Sequence, residues 1–171
     1  MTTEILTIDK GQCLTDVLPA IPANTIFDKT ITGCGATHSE IVNAARHSII
    51  IEPNIPVILG KKAEHPFLFA VYEGITKEDV KAYLAGEHDG YRKIITTPEG
   101  FDKKVLPAMH ELEIPVYKDY FLLFDECEKA IQDVGYRGDI YLPVEDFFKF
   151  ENKAMVSATP TVRPAFRGKR V

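Results

Sequence analysis

The most informative stretch of the sequence is an apolar run that ends at two adjacent carboxylates. Residues 121–128 read F-L-L-F-D-E-C-E, so four apolar residues precede Asp125 and Glu126. Such a run is typical of a strand buried on both faces of a parallel sheet. Acidic groups at its carboxyl end lie where open α/β sheets bind ligands, although a solvated turn is the simpler alternative. One carboxylate can hold Mg²⁺, and its neighbour can orient or deprotonate an attacking water.

A second candidate site is the glycine-rich turn after the first predicted strand. Residues 25–32 read T-I-F-D-K-T-I-T, which is an alternating, β-branched pattern. The turn that follows consists of Gly33, Cys34, Gly35, Ala36 and Thr37. Glycine-rich turns between a strand and a helix leave backbone N–H groups free to cradle phosphate. A tight turn without a ligand explains the same residues equally well.

Strand-like and helix-like patterns alternate along the chain, which predicts a doubly wound parallel α/β sheet. The apolar or β-branched runs predict six strands, at residues 25–32, 48–52, 67–72, 93–97, 120–124 and 153–157. Intervening helices are predicted at residues 37–46, 77–85, 101–112, 128–134 and 144–150. Thr76 is predicted to cap the second helix, with Asp79 at its third position. Pro107 is predicted to kink or interrupt the third helix.

Length and composition indicate one soluble globular domain. The chain has 171 residues, 45% hydrophobic and 26% charged, with a net charge of −5 that does not indicate general nucleic-acid binding. Residues 1–24 form an N-terminal extension, and residues 161–171 form a basic tail that is either a solvated terminus or the start of a linker. No apolar run is long enough to span a bilayer, and no signal peptide is evident. Three widely spaced cysteines fit reduced thiols, so a cytoplasmic location is expected.

The order of the strand-end motifs resembles that of the superfamily 2 helicases. A glycine-rich turn follows the first strand, P-N the second, T-T-P the fourth, D-E-C-E the fifth and S-A-T the sixth. The N-terminal RecA-like domain of these helicases carries motifs I, Ia, Ib, II and III in this order. The resemblance covers roughly residues 25–160. The chain also resembles, more loosely, helicase-like proteins predicted in bacteriophages and mobile elements.

The resemblance implies a nucleotide site at the strand ends. Thr37 would bind Mg²⁺ through its hydroxyl, Asp125 would hold the same ion directly or through water, and Glu126 would position the hydrolytic water. The nucleotide, expected to be ATP, would be bound by Gly33, Cys34, Gly35, Ala36, Thr37 and His38.

The resemblance also implies a path for nucleic acid. Ser157 and Thr159 would couple the nucleotide state to bound DNA or RNA. Small polar groups and free N–H groups contact nucleic-acid phosphates in such sites. The residues that would line the path are Pro53, Asn54, Thr96 and Thr97.

The sequence departs from the helicase pattern in two ways. The family pattern G-x-G-K-T has a phosphate-binding lysine, and Ala36 occupies its place. The loss of one preorganised donor costs about 10²–10³ in rate. Lys29 or His38 is a possible substitute, although a strand lysine and a helix-start histidine need no such role. In addition, the chain ends soon after motif III, whereas helicase arginine fingers lie on a second RecA-like domain.

Two classes of function remain. The first is the N-terminal ATPase-type domain of a superfamily 2 helicase-like protein, weak or inactive in isolation, with nucleic acid and a second RecA-like domain or partner protein as partners. The second is a non-catalytic P-loop-like module for protein–protein interaction, which Ala36 and the acidic charge balance favour. A nucleotide kinase is disfavoured because no arginine-rich lid segment follows the strands. A nucleophilic role for Cys127 is disfavoured because no base is identifiable nearby.

The helicase resemblance predicts a specific strand order. In the helicase-type RecA fold, the S-A-T strand lies between the glycine-turn strand and the acidic strand, which opens a gap beside Glu126 for the attacking water. Residues 153–157 should therefore pair in parallel with residues 26–31 and with residues 120–124. Flavodoxin-like and dinucleotide-binding sheets are ordered differently. Cys34 and Cys127 should lie, as reduced thiols, at the same edge of the sheet.

Overall fold

The chain folds as a parallel α/β sheet of the RecA-like, doubly wound class, as the sequence predicts. The computed structural model describes residues 6–7, 9, 12–28, 35–127, 142–157 and 169–170. Its strands form one sheet in the order β3-β4-β2-β5-β6-β1-β7, and every pairing is parallel. The strands are β1 (Thr25–Asp28), β2 (His47–Ile51), β3 (Phe69–Val71), β4 (Lys93–Thr96), β5 (Tyr120–Phe124), β6 (Asn152–Ser157) and β7 (Lys169–Arg170).

Strand β6 lies between β1 and β5, so the predicted strand order is confirmed. Ala154 of β6 pairs with Thr25 of β1 on one side and with Leu123 of β5 on the other. The part of the first predicted strand beyond Asp28 lies outside the described residues. Strand β7 was not predicted, and it extends the sheet by pairing two residues of the basic tail with Thr25 and Ile26.

Helices cover both faces of the sheet. They are α1 (Leu14–Val17), α2 (Ala36–Val42), α3 (Ile55–Glu64), α4 (Lys77–Ala85), α5 (Pro98–Gly100), α6 (Leu106–Glu111), α7 (Val116–Asp119) and α8 (Leu142–Lys149). Helix α4 has its predicted bounds because Thr76 and Asp79 form a capping box. A π-helical turn over Phe101–Val105 joins α5 to α6 just before Pro107, so the predicted interruption is confirmed. Helix α3 was not predicted, and the helix predicted at residues 128–134 lies outside the described residues.

Two hydrophobic clusters hold the helices against the sheet. Neighbouring strand residues point to opposite faces, so Leu122 packs in one cluster and Leu123 in the other. Leu14 and Ile21 of the N-terminal extension belong to the second cluster and are at most 1% exposed, so its described residues 12–24 pack against the domain. In the part of the chain that the structure describes, no helix is both long enough and apolar enough to cross a membrane.

Candidate functional site

The carboxyl edge of the sheet brings the start of α2 into contact with the acidic pair after β5. Asp125 directly follows β5, is 2% exposed, and donates its backbone N–H to the carbonyl of Ile51 at 3.0 Å. Thr37 lies in the first turn of α2, and its hydroxyl donates a hydrogen bond to Oδ2 of Asp125. These two residues are 88 positions apart in the sequence. The fold therefore joins the two side chains that the helicase pattern assigns to one metal ion.

Glu126 has an unusual backbone conformation. Its φ angle is 47°, in the left-handed region that residues other than glycine rarely adopt. Its N–H donates to Oδ1 of Asp125 at 2.9 Å, which fixes the turn directly after the strand. Conformations of this kind cost about 1–3 kcal/mol and cluster at functional sites. The turn is thus a second feature that marks this edge as a candidate site.

Asn54 connects Glu126 to a third carboxylate that the sequence reasoning missed. The side-chain amide of Asn54 donates to Oε2 of Glu126 at 2.7 Å and to Oε1 of Glu52 at 2.9 Å. Its backbone N–H also donates to Glu52, at 2.9 Å. Glu52 follows β2 and is 2% exposed. The signal in the sequence was an acidic residue at the end of the apolar run S-I-I-I-E, which is the pattern that identified Asp125.

Burial and the neighbouring carboxylates raise the proton affinity of Glu52. Burial raises the pKa of Glu52 to about 7, against the lowering effect of the hydrogen bond from the Asn54 backbone. The negative charges of Asp125 and Glu126 raise that pKa further. Because like charges at close range disfavour ionisation, a cation bound at this edge would stabilise the ionised carboxylates.

Ala36 packs into the domain at the position of the missing lysine. Its side chain is 2% exposed and belongs to the hydrophobic cluster under α2. Gly35 precedes it with φ +89°, a left-handed conformation that glycine adopts without strain. Gly33, Cys34 and Lys29 lie outside the described residues.

His38, which was predicted as a possible substitute for that lysine, contacts a second histidine. Its Nδ1 lies 3.2 Å from Nε2 of His65, the residue after the last turn of α3. Burial and then the neighbouring His38 lower the pKa of His65. The partner that the structure gives to the His38 ring is therefore an imidazole.

The threonines of the T-T-P motif serve the local structure. Thr96 is fully buried, and its hydroxyl donates to the carbonyl of Thr97 at 3.1 Å. Thr97 is 9% exposed and caps α5 by accepting the N–H of Gly100 at 3.0 Å. Both hydroxyls therefore take part in local hydrogen bonds. That these two side chains line a nucleic-acid path stays a prediction. Pro53 and Asn54, the other two residues of that prediction, are half-buried.

The remaining predicted site residues lie at or beyond the ends of β5 and β6. Ser157 is the last residue of β6, is 1% exposed and pairs in register with Asp28. Thr159 lies outside the described residues. Cys127 is 6% exposed and directly follows Glu126 at the carboxyl edge. Because Cys34 is also outside the described residues, the shared edge of the two thiols stays a prediction.

The chemistry of the donors fits a magnesium ion that arrives with a phosphate ligand. Thr37 and Asp125 offer a hydroxyl and a carboxylate, which are oxygen donors suited to a hard cation. Among the described residues, no group of three or more His, Cys, Asp or Glu side chains forms a complete metal site. Mg²⁺ usually keeps several waters and takes only one or two protein carboxylates besides substrate phosphates.

Comparison with known proteins gives no family assignment. No protein-family model matches the chain, and no curated protein sequence matches it significantly. The functional conclusion therefore depends on the residues of the carboxyl edge and on their geometry.

Proposed function

We propose that this chain is the N-terminal ATPase-type domain of a superfamily 2 helicase-like protein, which binds Mg-ATP at the carboxyl edge of the sheet and DNA or RNA beside it. The observation that carries the proposal is the hydrogen bond between Thr37 and Asp125. The position of β6 between β1 and β5 supports it, because this order separates the two strands whose ends carry motifs I and II. A second RecA-like domain or a partner protein would complete the catalytic site.

Each residue at this edge has a role in the proposal. Thr37 and Asp125 hold Mg²⁺, which neutralises charge on the nucleotide phosphates when it is bound. Glu126 orients the attacking water, and the 2.7 Å hydrogen bond from Asn54 fixes one oxygen of its carboxylate. Asn54 also belongs to the motif that the helicase pattern places along the nucleic acid. It therefore lies between the two proposed binding functions.

Hydrolysis by the isolated chain is expected to be negligible. Ala36 stands where the pattern has a lysine, and phosphoryl transfer depends mainly on positioning and electrostatic stabilisation. Helicases of this superfamily also use arginine fingers from a second domain. A steady-state turnover near roughly 1 s⁻¹, with or without nucleic acid, would contradict this expectation.

One observation favours the alternative function, a non-catalytic P-loop-like module for protein–protein interaction. Ala36 is 2% exposed and packs in the core, so the side chain at the lysine position points into the domain. A P-loop-like module that no longer binds nucleotide needs no positively charged side chain at this position. The alternative predicts that Mg-ATP does not bind.

Calorimetric titration with ATP and Mg²⁺ separates the two functions. The wild type should bind with measurable heat, and Asp125→Asn should weaken binding at least about tenfold because a metal ligand loses its charge. Asp89→Asn, on an exposed residue, is the matched control and should bind like the wild type. Absence of binding by the wild type would reject the ATPase-type proposal.

Ala36→Lys is the complementary gain-of-function variant. Because Ala36 is buried, thermal unfolding must first show that the variant keeps the wild-type fold. If it does, a lysine near the phosphates should tighten Mg-ATP binding measurably. Unchanged affinity would show that the lysine position in the glycine turn does not limit binding, and would leave the contribution of a second domain or partner protein as the explanation.

A further inference from the structure

Two histidines outside the Thr37–Asp125 contact bring a pair of ring nitrogens together. His38 lies in α2, and His65 follows the end of α3, 27 positions later. Nδ1 of His38 is 3.2 Å from Nε2 of His65. The ring centroids are 5.1 Å apart and the ring planes meet at 41°. The chain has five histidines, so this pairing involves two of very few imidazoles.

The separation of the two nitrogens matches the separation that one tetrahedral metal ion imposes. Zinc–nitrogen bonds of about 2.0–2.1 Å at the tetrahedral angle place two imidazole nitrogens about 3.3 Å apart and their ring centroids about 5.2 Å apart. The observed values are 3.2 Å and 5.1 Å. The same 3.2 Å also lies within the hydrogen-bond range, so a direct N–H···N bond between the rings is the alternative that metal titration must exclude.

We infer that Nδ1 of His38 and Nε2 of His65 bind one divalent transition-metal ion, with zinc as the reference ion and water in the remaining positions. Imidazole nitrogen favours zinc, copper and nickel over magnesium. The inferred site is therefore chemically distinct from the oxygen donors at Thr37 and Asp125. It does not depend on the proposed nucleotide function.

The backbone around His65 holds its ring in place for this role. The N–H of His65 donates to the carbonyl of Lys61 at 2.9 Å, and its own carbonyl accepts from Leu68 at 2.9 Å. The Phe67 ring packs edge-on against His65 with a centroid distance of 5.7 Å. A ring that is ordered before binding loses less conformational entropy when a ligand arrives.

The surroundings of the pair combine partial exposure with one nearby carboxylate. The His65 side chain is 13% exposed, so the ring is only partly covered by the domain. Oε2 of Glu64 lies 4.0 Å from Nε2 of His65 and adds a negative charge beside the pair. That carboxylate also forms an ion pair with Lys61 at 2.8 Å, which offsets part of its effect.

The test is metal titration of the tag-free chain. Calorimetry with zinc chloride should show one ion bound per chain. His38→Ala and His65→Ala should each weaken binding at least about tenfold, since even partners of metal ligands contribute about 10–100-fold. His110→Ala, which removes an exposed histidine on α6, is the matched control and should bind like the wild type.

A second measurement removes dependence on the folding of the variants. Cobalt chloride added to the wild type should produce visible absorption typical of four-coordinate cobalt, and excess zinc should displace it. Absence of zinc binding by the wild type would overturn the inference. Zinc affinity that is unchanged in both the His38 and His65 variants, or is lost equally in the His110 variant, would also overturn it.

Discussion

Two buried polar clusters lie at opposite edges of the sheet and differ in how their charges are balanced. At the amino edge, the carboxylate of Glu40 is fully buried and lies against the positive groups of Arg46 and Lys93. At the carboxyl edge, Glu52 is buried beside two further carboxylates. The first cluster combines opposite charges within the domain, whereas the second concentrates acidic groups. One sheet therefore carries a self-neutralising network and an acidic site.

Sheet register assembles the amino-edge network. Ser48 of β2 pairs with Lys93 of β4 on one side and with Phe121 of β5 on the other. Lys93 donates to the Ser48 hydroxyl at 2.8 Å, and the Arg46 guanidinium stacks on the Phe121 ring at 3.4 Å. Arg46 Nε also donates to Glu40 at 3.0 Å. Such a network satisfies its own polar groups, which is typical of a structural role.

The contrast indicates which edge is suited to a ligand. Buried ions that pair with one another need no external partner. Adjacent buried carboxylates repel one another, and a cation relieves that repulsion. The carboxyl edge is also where open α/β sheets bind ligands. Charge balance and topology therefore indicate the same edge.

The largest expected effect is the loss of stability on removing the acid of the amino-edge network. Glu40→Ala leaves Arg46 and Lys93 close together without their buried partner. Loss of one member of a buried ion pair typically costs about 3–5 kcal/mol of unfolding free energy. Urea denaturation measures the change. Glu64→Ala, which removes an exposed partner of Lys61, is the control and should have little effect.

One outcome of the Glu40→Ala measurement would contradict the contrast between the two edges. A loss of less than about 1 kcal/mol in Glu40→Ala would mean that the amino-edge network is not a structural unit. The charge contrast between the two edges would then say nothing about their roles.

The next largest effect is a pH dependence that arises at the carboxyl edge. The pKa of Glu52 is raised to about 7 in the folded chain, from an ordinary value of 4.5. The folded state therefore retains a proton that the unfolded state releases between these values. The stabilisation is fully present below the unfolded pKa and is lost as the pH rises through 7, by up to roughly 3 kcal/mol.

Glu52→Gln should remove this part of the pH dependence. Urea denaturation between about pH 4 and pH 8 should show a smaller fall in stability for the variant than for the wild type. Glu73→Gln, on an exposed residue, serves as the control and should retain the wild-type profile. Identical profiles for wild type and Glu52→Gln would show that the crowded carboxylates do not shape the stability of this edge.

A smaller loss of stability is expected when the backbone packing at the carboxyl edge is disturbed without a change in its charges. A Cβ added at Gly100 would lie 2.5 Å from the hydroxyl oxygen of Thr96 and 3.2 Å from the carbonyl oxygen of Val71. Gly100→Ala should therefore cost about 1–2 kcal/mol through overpacking. Gly60→Ala is the matched control, because nothing lies within 4 Å of its added Cβ, and it should be neutral or slightly stabilising. Equal stabilities of the two variants would contradict the close packing of this edge.

Sequence reasoning predicted the parts of this structure that depend on local patterns. The bounds of α4 follow from the cap at Thr76, and the sixth strand follows from its apolar run. The pairing of Thr37 with Asp125 was implied by the helicase resemblance, and the two side chains are in contact in the structure. The cap and the strand could be predicted because their patterns lie within short segments of the sequence.

The missed features depend on long-range neighbours. Lys93 and Ser48 are 45 positions apart, and their contact exists only because β4 pairs with β2. Similarly, the sequence around Glu40 is that of an ordinary surface residue. Its buried role is visible only in the structure, where Arg46 and Ser48 donate hydrogen bonds to its carboxylate. The left-handed turn at Glu126 also escaped prediction, since glutamate rarely adopts this conformation.

The most direct test of the contrast between the edges is an amide chemical-shift map of the ¹⁵N-labelled chain during titration with excess Mg-ATP. We expect the largest shifts at Thr37, Asp125 and Glu126, with Ser48 and Lys93 at the opposite edge unchanged. Mg²⁺ without nucleotide should give smaller shifts at the same carboxyl-edge amides, because the metal is expected to bind with the phosphates. An absence of shifts with Mg-ATP, or shifts centred on the amino edge, would contradict the assignment of the acidic edge as the nucleotide site.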